Sequence, residues 1–188
     1  MTIAILALQG AFAEHQAMLR LLGVDSVLIR NLADWQTYLS TYPTQRGLII
    51  PGGESTAMTK IMHDEGLTEP LREAIAGGLP TFGTCAGMIL LDDRHLAVMD
   101  ITVLRNAYGR QLGSFYTEHE VKGLGFVPMT FIRAPYIERA GREVEVLAVL
   151  DGHIVAARQG KRLVCSFHPE LNTDTRMHAY FINSILEA

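Results

Sequence analysis

The first ninety residues alternate between short apolar runs and segments of helical spacing. That alternation constrains the fold more than any other feature of the chain. "IAILAL" (3–8) is continuously apolar, as expected of a strand buried on both faces. "AEHQAMLRLLG" (13–23) has helical spacing and ends in glycine, a common helix stop. "DSVLIR" (25–30), "GLIIPGG" (47–53) and "PTFGT" (80–84) read as further strands. "LADWQTYLS" (32–40), "STAMTKIMHDEG" (55–66) and "TEPLREAIAGG" (68–78) read as the helices between them, and "AGMILLD" (86–92) opens another. Such alternation predicts an α/β fold: a doubly wound, mostly parallel sheet with helices on both faces.

From residue 100 the pattern changes. "DITVLR", "SFYTEHEV", "FVPMTFIRA", "VEVLAVL", "HIVAARQG" and "RLVCSFH" are strand-like with little helix between them, giving a strand-rich second half. "TDTRMHAYFINSILEA" (173–188) reads as an amphipathic helix. No linker, repeat or low-complexity tract interrupts the chain, so one domain is expected over residues 1–188. At 188 residues, 48% hydrophobic and 19% charged, the chain suits a soluble globular protein with a full core. A net charge of −4 and the lack of any basic run argue against nucleic acid or anionic membrane as a partner. Two cysteines make no disulfide framework and suit a reducing, cytoplasmic compartment. The apolar N-terminus has no basic residue before Arg20 and is broken at Gln9-Gly10, so it reads as a strand rather than a secretory signal.

Ligands of open parallel sheets bind beyond the carboxyl ends of the strands. Four stretches fall there: "LQG" (8–10), "PGGES" (51–55), "GTCAG" (83–87) and "SFHPE" (166–170). G-x-C-x-G is the thiol form of a nucleophile elbow, in which a tight strand-to-helix turn needs small neighbours and lifts the nucleophile clear of the sheet. Cys85 is the candidate nucleophile, and the amide of Ala86 is placed for an oxyanion. The plain alternative is a buried cysteine in a glycine-rich turn. His168 and Glu170, two apart at a strand end, share a face on this reading, so the histidine can take the thiol proton and the carboxylate can hold its tautomer. "PGGES" adds flexible backbone, with the amide at Gly52 or Gly53 as a second oxyanion donor. No G-K-[ST] follows, which removes a phosphate-loop reading. A zinc reading of Cys165-x-x-His168 lacks a second ligand pair, so no metal is expected. Cys165 lies in a strand pattern that suits core packing.

With these residues in order, "PGGEST", "GTCAG", "RNAYGRQ", "FIRAP", "VAARQG" and "CSFHPEL" together resemble the glutaminase-subunit family of pyridoxal 5′-phosphate synthase, within the class I glutamine amidotransferases. The resemblance covers essentially the whole chain. It implies hydrolysis of L-glutamine to glutamate and ammonia, with no cofactor, and delivery of the ammonia to a synthase subunit in a hetero-oligomer that makes vitamin B6. Carried over by motif, Cys85, His168 and Glu170 form the triad. Gly53, Glu54 and Ser55 match a glutamine-binding loop, and Arg105, Ile132 and Arg133 match further glutamine contacts. Two rivals stay open: another cysteine hydrolase of flavodoxin-like fold, and a non-catalytic regulatory subunit.

Overall fold

A computed structural model of the chain describes residues 1–105 and 114–183. In chain order, β1 (Thr2–Leu6), α1 (Phe12–Leu21), β2 (Asp25–Ile29), α2 (Leu32–Thr41), β3 (Arg46–Ile50), α3 (Ser55–Asp64), α4 (Thr68–Ala76), β4 (Thr81–Thr84) and α5 (Ala86–Leu91) form the alternating half. There follow β5 (Ile101–Leu104), β6 (Ser114–Val121), β7 (Gly125–Ile132), β8 (Tyr136–Ala140), β9 (Glu145–Leu150), β10 (His153–Gln159) and β11 (Arg162–Cys165). A 3-10 turn (Pro169–Leu171) and α6 (Arg176–Phe181) close the described chain.

Five strands, in the order β2-β1-β3-β4-β11, run parallel and form one side of a nine-stranded sheet. Antiparallel β10, β8 and β5 extend it beyond β11, with β9 also paired to β10. The alternating sequence half thus supplies four of the five parallel strands, and β11 returns from the second half to sit beside β4. β6 and β7 leave the sheet and, among the described residues, pair with each other as a two-stranded ribbon.

The side-chain period of two sorts the central strands onto two apolar layers. Ala4, Leu6, Leu48, Ile50 and Val164 pack on one face with Trp35, Met58, Leu71 and Ile75 from the helices. Ile3, Ile5, Ile49, Phe82, Leu163 and Cys165 pack on the other with Leu19, Phe131 and Phe181. Every residue of β1 is buried, which is why its sequence shows no polar alternation.

The sheet places the site. After β1 the chain crosses to β2 on one side, then returns to β3 on the other, so the strand order reverses between β1 and β3. The segments that leave β1, β3, β4 and β11 therefore emerge side by side at one edge, and they carry the four stretches singled out above.

Two sequence expectations change. β8 carries no strand signal in the sequence, because "YIERA" puts Glu138 and Arg139 in its middle and buries little besides Ile137. Arg139 is held there by Asp93 and Asp100, so ion pairs rather than apolar alternation secure that stretch. The last helix begins at Arg176, later than its polar sequence start, and residues 184–188 of that expectation lie outside the described residues.

Candidate active site

Cys85 sits between β4 and α5 with φ +48° and ψ −103°, a conformation that side chains other than glycine rarely adopt. Its backbone N–H donates to the Cys165 carbonyl at 2.8 Å, which ties the turn to the end of β11. The flanking glycines are required by contact. A Cβ on Gly87 would overlap the Ile50 carbonyl, and one on Gly83 would stand 2.7 Å from the Gly87 oxygen. Helix α5 crosses the ends of β3 and β4 too closely for any side chain at either position. Ala86 is buried as the first residue of α5, where backbone N–H groups lack intrahelical partners.

His168 and Glu170 are joined through the 3-10 turn, not along a strand. β11 ends at Cys165, and Pro169 occupies the first position of the turn, where its missing N–H costs nothing. The sequence expectation that the two side chains share a strand face is corrected: the turn folds them together. His168 Nδ1 and Glu170 Oε1 are 2.7 Å apart. The imidazole stands beside Cys85: a Cβ on Gly52 would meet both His168 Cε1 and Cys85 Cβ. The His168 backbone N–H donates to the Thr130 carbonyl at 2.8 Å, so the β7 ribbon anchors the turn. Burial disfavours charge on His168, but its interactions with Cys85 and Glu170 outweigh it and push its pKa up to about 10. Burial likewise opposes ionisation of Glu170, yet the imidazoles of His15 and His168 facing it hold the carboxyl below its usual range.

A pocket of about 430 Å³ opens over Cys85 and His168. Gly52, Gly53, Glu54, Ser55, Ala86, Arg105, Ile132 and Arg133 all line it, so the residues carried over by motif converge on one cavity. Glu54 caps α3, its carboxylate accepting from the Thr56 and Ala57 backbone N–H groups at 3.0 and 2.7 Å. Those two bonds, ahead of the nearby Arg105 charge, draw its pKa down. Arg105 reaches back to Thr56 Oγ1 at 3.0 Å and to the Glu54 carboxylate at 3.3 Å. The remainder of "RNAYGRQ" lies outside the described residues. Arg133 has φ +43°, a second strained residue on the rim. The Gly52 carbonyl accepts from the Ala11 N–H at 3.0 Å, and a trans peptide then turns the Gly53 N–H away from Ala11. Gly10 (φ +95°) is pressed against that carbonyl, with no room for a Cβ.

The sequence reading left several neighbours unassigned. Gln9, which in sequence marks only a strand end, accepts through its Oε1 from the Glu54 N–H at 2.7 Å and so holds the glycine loop. Ile89, Pro135 and Leu171 complete the pocket wall. Behind Glu170 lie His15 and His178, both fully buried. His15 was legible as a histidine in phase with buried Met18 and Leu19 on α1, and His178 as one in phase with Phe181 on α6. Cys165 is fully buried, its thiol donating to the Phe167 carbonyl at 3.4 Å, and burial pushes its pKa well up. Among the described residues, no group of three or more His, Cys, Asp or Glu is placed to hold a metal ion, and no helix is long and apolar enough to cross a membrane.

Comparison with known proteins places the chain in a family. The model of the SNO glutamine amidotransferase family matches residues 5–187. The chain is 57% identical over 194 residues to the pyridoxal 5′-phosphate synthase subunit PdxT of Streptococcus pneumoniae, covering 100% of this chain and 99% of that one. A crystal structure of a glutamine amidotransferase superposes with a TM-score of 0.88 at 40% identity, covering 99% of both chains. The PurLQS structure from Thermotoga maritima, at 13% identity and a TM-score of 0.65, shares the fold. The match along nearly the whole sequence settles the assignment: the chain belongs to the SNO glutamine amidotransferase family.

Proposed function

We propose that the chain hydrolyses L-glutamine to glutamate and ammonia and passes the ammonia to a synthase subunit that makes pyridoxal 5′-phosphate. The observation that carries this reading is that His168, held by Glu170 at 2.7 Å, lines one pocket with Cys85 on its strained elbow. Cys85 attacks the side-chain amide carbon of glutamine. His168 takes the thiol proton and returns it to the departing nitrogen, releasing ammonia and leaving a thioester. Water activated by the same imidazole then hydrolyses the thioester to glutamate. Glu170 keeps the imidazole oriented and supports its charge. The N–H groups of Ala86 and of the Gly52-Gly53 region stabilise the oxyanion; the engagement of the Gly52 carbonyl by Ala11 favours that role for the Gly53 amide.

The rim provides for the amino-acid end of the substrate. Arg105 and Arg133 offer planar guanidinium groups to the α-carboxylate, Ile132 backbone groups, and the Gly53–Ser55 loop, braced by the Glu54 cap, the remaining contacts. The 57% identity to a subunit named for pyridoxal 5′-phosphate synthase supports a partner that consumes the ammonia. The test is ammonia release from glutamine, with and without a cognate synthase subunit. Release that rises on adding the synthase supports both halves of the reading. No release under either condition contradicts it.

A further inference from the structure

The triad carboxylate has a second face that the hydrolytic scheme leaves unused. Glu170 Oε1 serves His168, whereas Oε2 is buried and has no hydrogen-bond partner among the described residues. His15 Nε2 lies 3.5 Å from it. That nitrogen is also 3.0 Å from Thr84 Oγ1, on the residue immediately before Cys85. The other nitrogen of His15, Nδ1, lies 2.8 Å from His178 Nε2, and His178 Nδ1 has no partner. Phe82 closes the cluster, with its ring edge-on to both imidazoles.

Hydrogen-bond accounting orients this chain. Burial lowers the pKa of both imidazoles, so each is neutral with one N–H. If His15 carried its proton on Nδ1, the lone pair of Nε2 would face the Glu170 carboxylate, and a buried His178 N–H would be left without an acceptor. The opposite arrangement avoids both penalties. His178 donates from Nε2 to His15 Nδ1, and His15 presents its Nε2–H to Thr84 and Glu170. The one atom left over is then the lone pair of His178 Nδ1. Two buried polar rings in an otherwise apolar layer are poor core packing, since Phe or Leu there would leave no nitrogen unpaired.

We propose that His15, backed by His178, is a positioning residue for the Glu170 carboxylate, fixing the face from which Glu170 holds His168. This rests on the reading of Cys85, His168 and Glu170 as the hydrolytic triad. The effect reaches Cys85 twice: through Glu170 and His168, and through Thr84 at the root of the elbow.

The test is a double-mutant cycle read by two signals. The first is the rate at which iodoacetamide alkylates Cys85 at neutral pH, followed by mass spectrometry on the full chain; it needs no turnover. The second is glutamine kinetics in the presence of the synthase subunit. His15→Leu is expected to lower kcat about 10–100-fold with KM changed less than about 2-fold, because an orienting group two steps from the thiol matters less than the carboxylate itself. His15→Gln, which returns an N–H near the place of Nε2, restores most of that loss. Alkylation slows in His15→Leu but not further when Glu170→Ala is already present, the non-additivity expected of groups that act through one another. Equal slowing in both backgrounds, or a folded His15→Leu chain with unchanged kcat, overturns the proposal. If His15→Leu does not fold, His178→Phe is read through the same cycle, with an expected kcat loss of about 3–10-fold and the same two overturning outcomes. Failure of the unsubstituted chain to release ammonia contradicts the glutaminase reading instead, and the alkylation cycle still reports the coupling.

Discussion

The two cysteines end neighbouring strands and are joined by a backbone hydrogen bond, yet their surroundings are opposites. Cys165 completes β11 in regular conformation, with its thiol buried in the apolar layer and bonded to a carbonyl. Cys85 follows β4 at a positive φ, with a glycine two positions to either side that no side chain can replace, and it shares its pocket with the His168 imidazole. Burial does not separate them, since both are largely inaccessible at 7% and 0%. What separates them is backbone strain and the group each sulfur meets. A thiol that only fills space needs neither a strained turn nor a charged neighbour.

The largest expected effect comes from exchanging each sulfur for oxygen. Cys85→Ser should lower glutamine hydrolysis by about 10⁴-fold or more with the melting temperature little changed. Cys165→Ser should keep activity within about 3-fold and cost roughly 1–2 kcal/mol of stability, because a hydroxyl is buried in place of a thiol. The reverse pattern, measured by ammonia release and thermal unfolding, would break the comparison.

The groups next to Cys85 come second. His168→Asn should nearly abolish turnover, since the proton carrier is lost. Glu170→Gln should be impaired by up to about 10⁴-fold but less than His168→Asn, as for an orienting carboxylate. Equal and mild losses, read as kcat, would reduce the 168–170 turn to a structural corner.

Backbone crowding is the third point of contrast. Gly87→Ala forces a methyl group into the Ile50 carbonyl and should cost about 1–3 kcal/mol, together with activity, because relief requires α5 and the elbow to move. A Gly87→Ala chain with unchanged melting temperature and kcat would show that the close approach of α5 is not needed.

The smallest effect is in pH, and it has two limbs of opposite sign. His168 has a folded pKa of about 10, above its unfolded 6.5, so its stabilisation is full below pH 6.5 and is lost as pH rises toward 10. His15 and His178 are lowered from 6.5 by burial, so their contribution is present above pH 6.5 and is lost as pH falls below it. Melting temperature against pH should therefore decline on both sides. His168→Asn should flatten the alkaline limb and His178→Phe the acid limb.

The sequence made these contrasts legible to different depths. The parallel strands were readable because burial on both faces leaves continuous apolar runs, and the elbow because steric crowding permits only glycine at 83 and 87. β8 was not, since its middle is held by ion pairs from Arg139 to residues about forty positions away. The spacing of His168 and Glu170 suggests a shared strand face, but they meet across a 3-10 turn, which the two-residue spacing does not reveal. His15 and His178 stood in plain sight on apolar helix faces. Their meaning depends on α1 and α6 meeting behind the 168–170 turn, and that meeting is set by packing across the sheet rather than by any local pattern.

The central claim, that Cys85 and not Cys165 is the nucleophile, is tested most directly by trapping. The chain is incubated with a glutamine analogue carrying an electrophilic diazoketone in place of the amide, together with the synthase subunit, and the labelled peptide is mapped by mass spectrometry. The account predicts one adduct, on Cys85, that forms in step with loss of ammonia release and is blocked by excess glutamine. An adduct on Cys165, or full loss of activity with Cys85 unmodified, would contradict it.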